Sequence, residues 1–207
     1  MVLVKSEGRT LRQAQDHSFP TDFLTDIVRV LLNSGEGARR EFTEHFVEEY
    51  DDIRYYTLKA IEKILGDPQT PNTSSTFDNA LEILSPIEPP ETKEDLEDFF
   101  APAPKKSKHD LYSITKHKAR AQGAWLALMN LEMDRDQRKA LLSIMADTIA
   151  PWFMKPELLM DFLTDSYNTG GSTSLLALSG VFYLIQEKSM LFSFHTTIWR
   201  FTSHGNY

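Results

Sequence analysis

Residues 51–66 read Asp51-Asp52-Ile53-Arg54-Tyr55-Tyr56-Thr57-Leu58-Lys59-Ala60-Ile61-Glu62-Lys63-Ile64-Leu65-Gly66. Ile53, Tyr56, Thr57, Ala60, Ile61, Ile64 and Leu65 recur at the three-and-four spacing that lines one face of an α-helix. Asp51 occupies a capping position, and Gly66 sits where a C-terminal glycine belongs. Two similar segments precede this one. The first opens at Pro20-Thr21-Asp22, carries Phe23, Leu24, Ile27, Val28, Leu31 and Leu32, and ends at Asn33-Ser34-Gly35; the second runs over 37–50 with Ala38, Phe42 and Phe46 on one face. Three amphipathic helices joined by short turns predict stacked helical hairpins.

Downstream the composition changes. Residues 67–109 hold seven of the ten prolines and no glycine, with an acidic stretch followed by Lys105-Lys106-Ser107-Lys108. Brief helices fit at 77–84 and 93–100, but the flanking prolines predict a largely disordered linker. Helical periodicity resumes over 110–131 with Leu111, Ile114, Ala121, Trp125 and Leu128. A helix capped by Asp134 follows, burying Leu141, Leu142, Ile144, Met145 and Ile149. Pro156 starts another, and Ser172 caps the last, which ends near Lys188. No strand is expected before residue 189. The last stretch, 189–207, contains no acid and a single Arg, and it reads as a weakly ordered tail. The expected organisation is therefore all-α, of α-solenoid or HEAT-like stacked hairpins interrupted by a disordered linker. Its parts are an N-terminal helical region over 1–66 whose first 18 residues are poorly ordered, the linker over 67–109, a helical domain over 110–188, and the tail.

Composition limits the chemistry. Thirty acids against 22 Lys and Arg give a net charge of -8, which opposes a broad nucleic-acid-binding field. The absence of cysteine removes disulfide scaffolds, thiol catalysis and cysteine zinc sites, and fits a reducing compartment. The first 20 residues lack the apolar core of a secretory signal, and the apolar run 175–185 is broken by Ser179 and Gly180, so a soluble intracellular chain is expected.

One stretch, Leu158-Leu159-Met160-Asp161-Phe162-Leu163-Thr164-Asp165-Ser166-Tyr167-Asn168-Thr169-Gly170-Gly171-Ser172, contains two carboxylates one helical turn apart and a Gly-Gly-Ser. An acid-base pair or metal seat at Asp161 and Asp165 would need a third ligand or a polar pocket, and the neighbours Leu159, Phe162 and Leu163 indicate core instead. A phosphate loop at Gly170-Gly171-Ser172 would need a following lysine and a preceding strand. The simpler reading is a helix-helix corner, with one glycine at positive φ and Ser172 capping the next helix. The histidines at 17, 45, 109, 117, 195 and 204 form no pair at metal-ligand spacing. Lys116, His117, Lys118 and Arg120, with Arg135, Arg138 and Lys139, reach far enough for RNA phosphates but read first as a solvated face. Lys105-Lys106-Ser107-Lys108 resembles a short nuclear-import signal, and Trp125, Trp152, Phe153 and Tyr167 read as core anchors. No catalytic, cofactor-binding or metal-binding residue is assigned.

The segments Tyr50 to Tyr56, Ala124-Trp125-Leu126-Ala127-Leu128, Ile149-Ala150-Pro151, Lys155 to Tyr167 and Gly170 to Ile185 together resemble the C-terminal half of the nucleolar complex protein 4 group within the CCAAT-binding-factor domain family. The likeness covers roughly 20–66 and 110–188 and is most specific over 158–186; after Lys188 the charge-poor tail departs from the family pattern. The resemblance implies a helical-repeat scaffold that binds rather than catalyses. It places that scaffold in the nucleolus, in the small-subunit processome, paired with nucleolar protein 14 and other processome proteins, with direct or indirect contact to pre-ribosomal RNA left open and neither a membrane nor a small-molecule substrate involved. The helices of 155–188 are the expected interaction platform. A DNA-binding, transcription-related module is the alternative that the family name suggests, and it predicts a basic recognition helix that is absent here.

Overall fold

In the computed structural model, which describes residues 19–71, 73–105 and 108–188, every regular element is helical. The chain divides into two units, 1–134 and 135–207. In the first, α1 (Thr21–Leu31) is followed by α2 (Glu36–Phe42), which runs into a π-helical turn at Thr43–Val47, and then by α3 (Asp51–Leu65). After these come α4 (Ser74–Leu84), one-turn 3₁₀ segments at Glu94–Leu96 and Asp110–Tyr112, and α5 (Ile114–Met129). The central element is α3, which packs on α1 and on α5. Because it is covered from both sides, Tyr55 and Leu58 are buried as fully as the predicted stripe of Ile53, Ala60, Ile61 and Ile64. Gly66 keeps a right-handed φ of -81°, and its N–H donates to Glu62 O at 3.0 Å, so the predicted C-terminal glycine is an ordinary last turn.

The proline-rich stretch departs from the expected disordered linker. Thr73 caps α4 by accepting the N–H of Thr76, and α4 buries Phe77, Ala80, Ile83 and Leu84 completely. Arg39 of α2 reaches Glu82 of α4 at 2.6 Å, and Asn79 Nδ2 donates to Leu32 O at 2.8 Å, closing α4 over the α1–α2 turn. Beyond α4, Ile87, Leu96 and Ala101 are buried. Prolines forbid a helical ladder there without forbidding burial, provided that the freed amides find acceptors. Those acceptors are Asp51 and Asp52. Asp52 Oδ1 accepts the N–H of Phe100 at 2.9 Å, its Oδ2 that of Ala101 at 2.8 Å, and Asp51 Oδ2 that of Asp98 at 3.0 Å. Asp51 also contacts Arg54, and its own N–H donates to Asp98 O at 2.7 Å. The predicted capping aspartate is thus the first residue of α3, with Tyr50 at the cap, and it clamps a distant loop. The expected boundaries at 66/67 and 109/110 do not separate units, because α3 and α5 share one core and the division falls at 134/135.

In the second unit α6 (Arg135–Ser143) leads through Ile144 into a π turn (Met145–Ile149) and a 3₁₀ turn (Ala150–Trp152). Pro156–Leu159 forms another 3₁₀ turn ahead of α7 (Met160–Asn168), and α8 (Gly171–Lys188) completes the unit. Helix α8 packs on α6, α7 and the π turn, around Leu141, Met145, Ile149, Trp152, Leu163, Ala177, Val181 and Leu184. Gly180 makes the close approach: a Cβ there would lie 2.9 Å from Leu163 Cδ2 and 3.3 Å from Met145 Cγ. No helix among the described residues is long and apolar enough to cross a membrane. The stretch 189–207, the first 18 residues, Asn72 and Lys106-Ser107 lie outside the described residues.

Candidate protein-interaction surface

The corner between α7 and α8 matches its predicted geometry and exceeds it, since both glycines are left-handed, Gly170 at φ 78° and Gly171 at φ 63°. Ser172 does not cap the following helix: α8 already begins at Gly171, which places Ser172, exposed, in its first turn. Asp161 and Asp165 are exposed on α7. No group of three or more His, Cys, Asp or Glu side chains among the described residues can hold a metal ion. Trp125, Trp152 and Phe153 are buried core, and Tyr167 is half-buried.

Several of the basic residues within reach of RNA phosphates by sequence are committed within their own unit. Arg120 donates from Nε to the Tyr55 hydroxyl at 3.2 Å, lies over that ring and pairs with Glu62 at 3.6 Å. Arg138 donates to Ser166 Oγ at 3.1 Å and covers the Phe162 ring, while Lys139 pairs with Asp136 and Lys116 with Asp110. His117 is fully buried against Tyr55 with its Nε2 at 3.0 Å from Leu111 O, and burial lowers its pKa to about 4. It is a neutral core residue. His45 is exposed, and His109 accepts the N–H of Leu111; His17, His195 and His204 lie outside the described residues.

Among the described residues an exposed apolar face lies on α8. From Gly171 through Gln186 this helix contains no Asp, Glu, Lys or Arg. One face, with Thr173, Ala177, Gly180, Val181 and Leu184, is buried in the unit. The other presents Leu175, Leu178 and Phe182, which are 71%, 51% and 59% exposed. Their i, i+3, i+7 spacing aligns them along one ridge. Met154 and Leu158, in the segment leading to α7, are exposed as well. Single exposed apolar residues are ordinary, but a row of three on a charge-free stretch of helix makes this face a candidate for contact with another protein. Sequence periodicity marks α8 as apolar on all sides, and for that reason could not say which face would remain uncovered.

The family model described as "Nucleolar complex protein 4-like, TPR repeats" matches residues 1–70, a description that fits the expected all-α solenoid. The chain is 33% identical over 200 residues to the nucleolar complex protein 4 homolog of Mus musculus, covering 92% of this chain and 39% of that protein. It is 28% identical over 180 residues to that of Gallus gallus, covering 84% of this chain and 35% of the relative, and 28% identical over 189 residues to that of Homo sapiens, covering 84% and 35%. The chain thus spans a little over a third of the length of these relatives. With its helical hairpins, a first third that matches the family model and likeness along most of its length, the chain belongs to the nucleolar complex protein 4 family.

Proposed function

We propose that this chain is a non-catalytic scaffold subunit in ribosome biogenesis, working in the nucleolus as part of the small-subunit processome. It serves small-subunit assembly and pre-ribosomal RNA maturation. Its direct partner is a protein, nucleolar protein 14. The names of the relatives support the nucleolar setting. The observation that carries the binding role is the Leu175, Leu178 and Phe182 ridge on α8. Burying one such side chain contributes roughly 1.5–3 kcal/mol, so three aligned residues suffice to anchor a partner helix.

Co-purification from nuclear extract tests this. The parent chain is expected to retain nucleolar protein 14 and other small-subunit precursors, and a Leu175→Asp/Phe182→Asp chain to lose them while its circular dichroism melt moves little, because both sites are exposed. Equal retention by the two chains would rule out α8 as the platform.

A further inference from the structure

A cleft in the first unit, of about 350 Å³, is lined by Tyr55, Tyr56, Lys59, Lys108, His109, Asp110 and Arg120. The charges on its walls are unequally employed. Arg120 is held by Tyr55 and Glu62, and Asp110 pairs with Lys116 across 3.9 Å. Lys59, on α3, and Lys108, ahead of the 3₁₀ turn at Asp110, are exposed and engage no carboxylate among the described residues. Tyr56 is stacked on Phe19 with ring centroids 4.2 Å apart, and burial pushes its hydroxyl up to about 12, so it remains a neutral donor. Unused ammonium groups beside phenol hydroxyls form a donor-rich recess in a chain of net charge -8.

We infer that this cleft is a second docking site, one that takes a short acidic peptide segment of a protein partner, its carboxylates meeting Lys59 and Lys108. Protein is favoured over RNA on three grounds. A strand of RNA is held through many neutralised phosphates, whereas two free cations serve only one or two anionic groups. Single-stranded RNA also needs exposed ring faces for its bases, and here Tyr56 is already stacked on Phe19 while Tyr55 is buried beneath Arg120. The overall negative charge opposes a long polyanion but leaves a local, short-range pairing with a few carboxylates intact.

The probe is a fluorescein-labelled peptide of ten alternating Asp and Glu residues, titrated by anisotropy with the full chain at physiological salt. A single-stranded RNA of ten nucleotides serves as the competing class. Binding of the peptide, weakened about tenfold or more in Lys59→Glu/Lys108→Glu and changed less than twofold in Lys63→Glu, is the expected result. Lys63 lies exposed on the same helix but outside the cleft, so it controls for charge reversal at a neighbouring surface position. Absence of peptide binding, equal loss in Lys63→Glu, or binding of the RNA in preference to the peptide would each overturn the assignment. The Leu175→Asp/Phe182→Asp chain is expected to bind the peptide like the parent, which separates failure of this site from failure of the α8 ridge.

Discussion

At the scale of single residues, Asp52 carries more structure than its sequence position announces. It is fully buried, and its oxygens accept the N–H groups of Ile53, Phe100 and Ala101. Removing the carboxylate strands amides in a loop that has no ladder of its own. Asp52→Ala is therefore expected to cost about 3 kcal/mol in urea unfolding and to abolish hydrogen-exchange protection at residues 100 and 101; a loss below about 1 kcal/mol would show that water replaces the clamp. Gly170 is a simpler case. Nothing lies within 4 Å of a Cβ placed there, so Gly170→Ala suffers only the left-handed φ, about 1–2 kcal/mol, and an unchanged midpoint would mean that the corner relaxes freely. The glycine corner was legible in sequence because its cause is local. The aspartate clamp was not, because its partners lie 48 and 49 residues away.

At the scale of elements, the α7–α8 hairpin depends on the absence of a side chain at Gly180. Gly180→Val would press on Leu163 and Met145, and a loss of about 2 kcal/mol in thermal unfolding is expected, against less than about 0.5 for Ser179→Val on the exposed neighbour. Equal effects at the two sites would show that the helices separate without cost. The element most misjudged from sequence is α4. Its residues 77–84 do carry a helical pattern, but prolines on both sides hid the fact that it caps a hairpin core. Proline count reports where helices cannot run; whether the chain between them is packed depends on partners supplied by other elements, here the acceptors Asp51 and Asp52 and the donor Arg39, which pairs with Glu82.

At the scale of the whole molecule, two buried titrations oppose each other in its global stability. His117 has a pKa lowered to about 4 from 6.5, chiefly by burial, so the unfolded chain takes up that proton first. Its contribution is complete above pH 6.5 and is lost as pH falls through 4. Burial raises Asp51 to about 6 from 3.8, outweighing the lowering by Arg54, and its contribution runs the other way, complete below pH 3.8 and lost as pH rises through 6. Relative to the parent, Asp51→Asn should make unfolding free energy climb more steeply between pH 4 and 6, and His117→Phe should make it fall, each by up to about 1.4 kcal/mol per pH unit. Urea titrations at pH 4, 5 and 6 measure this, and parallel curves for all three chains would contradict it.

The sequence by itself determined the all-helical class, the position of most helices and the tight corner at 170–171, because helix periodicity and glycine geometry are properties of neighbouring residues. Only the tertiary structure decided which covered faces make α3 central, how the proline-rich stretch joins the first core, and which side of α8 stays open. It likewise decided that Arg120 and Arg138 are spent inside their units while Lys59 and Lys108 engage no carboxylate among the described residues. The physical reason is common to all of these. Burial and pairing depend on what approaches from far along the chain, and a helix that is apolar all round, or a lysine on an amphipathic one, gives no local sign of what that will be.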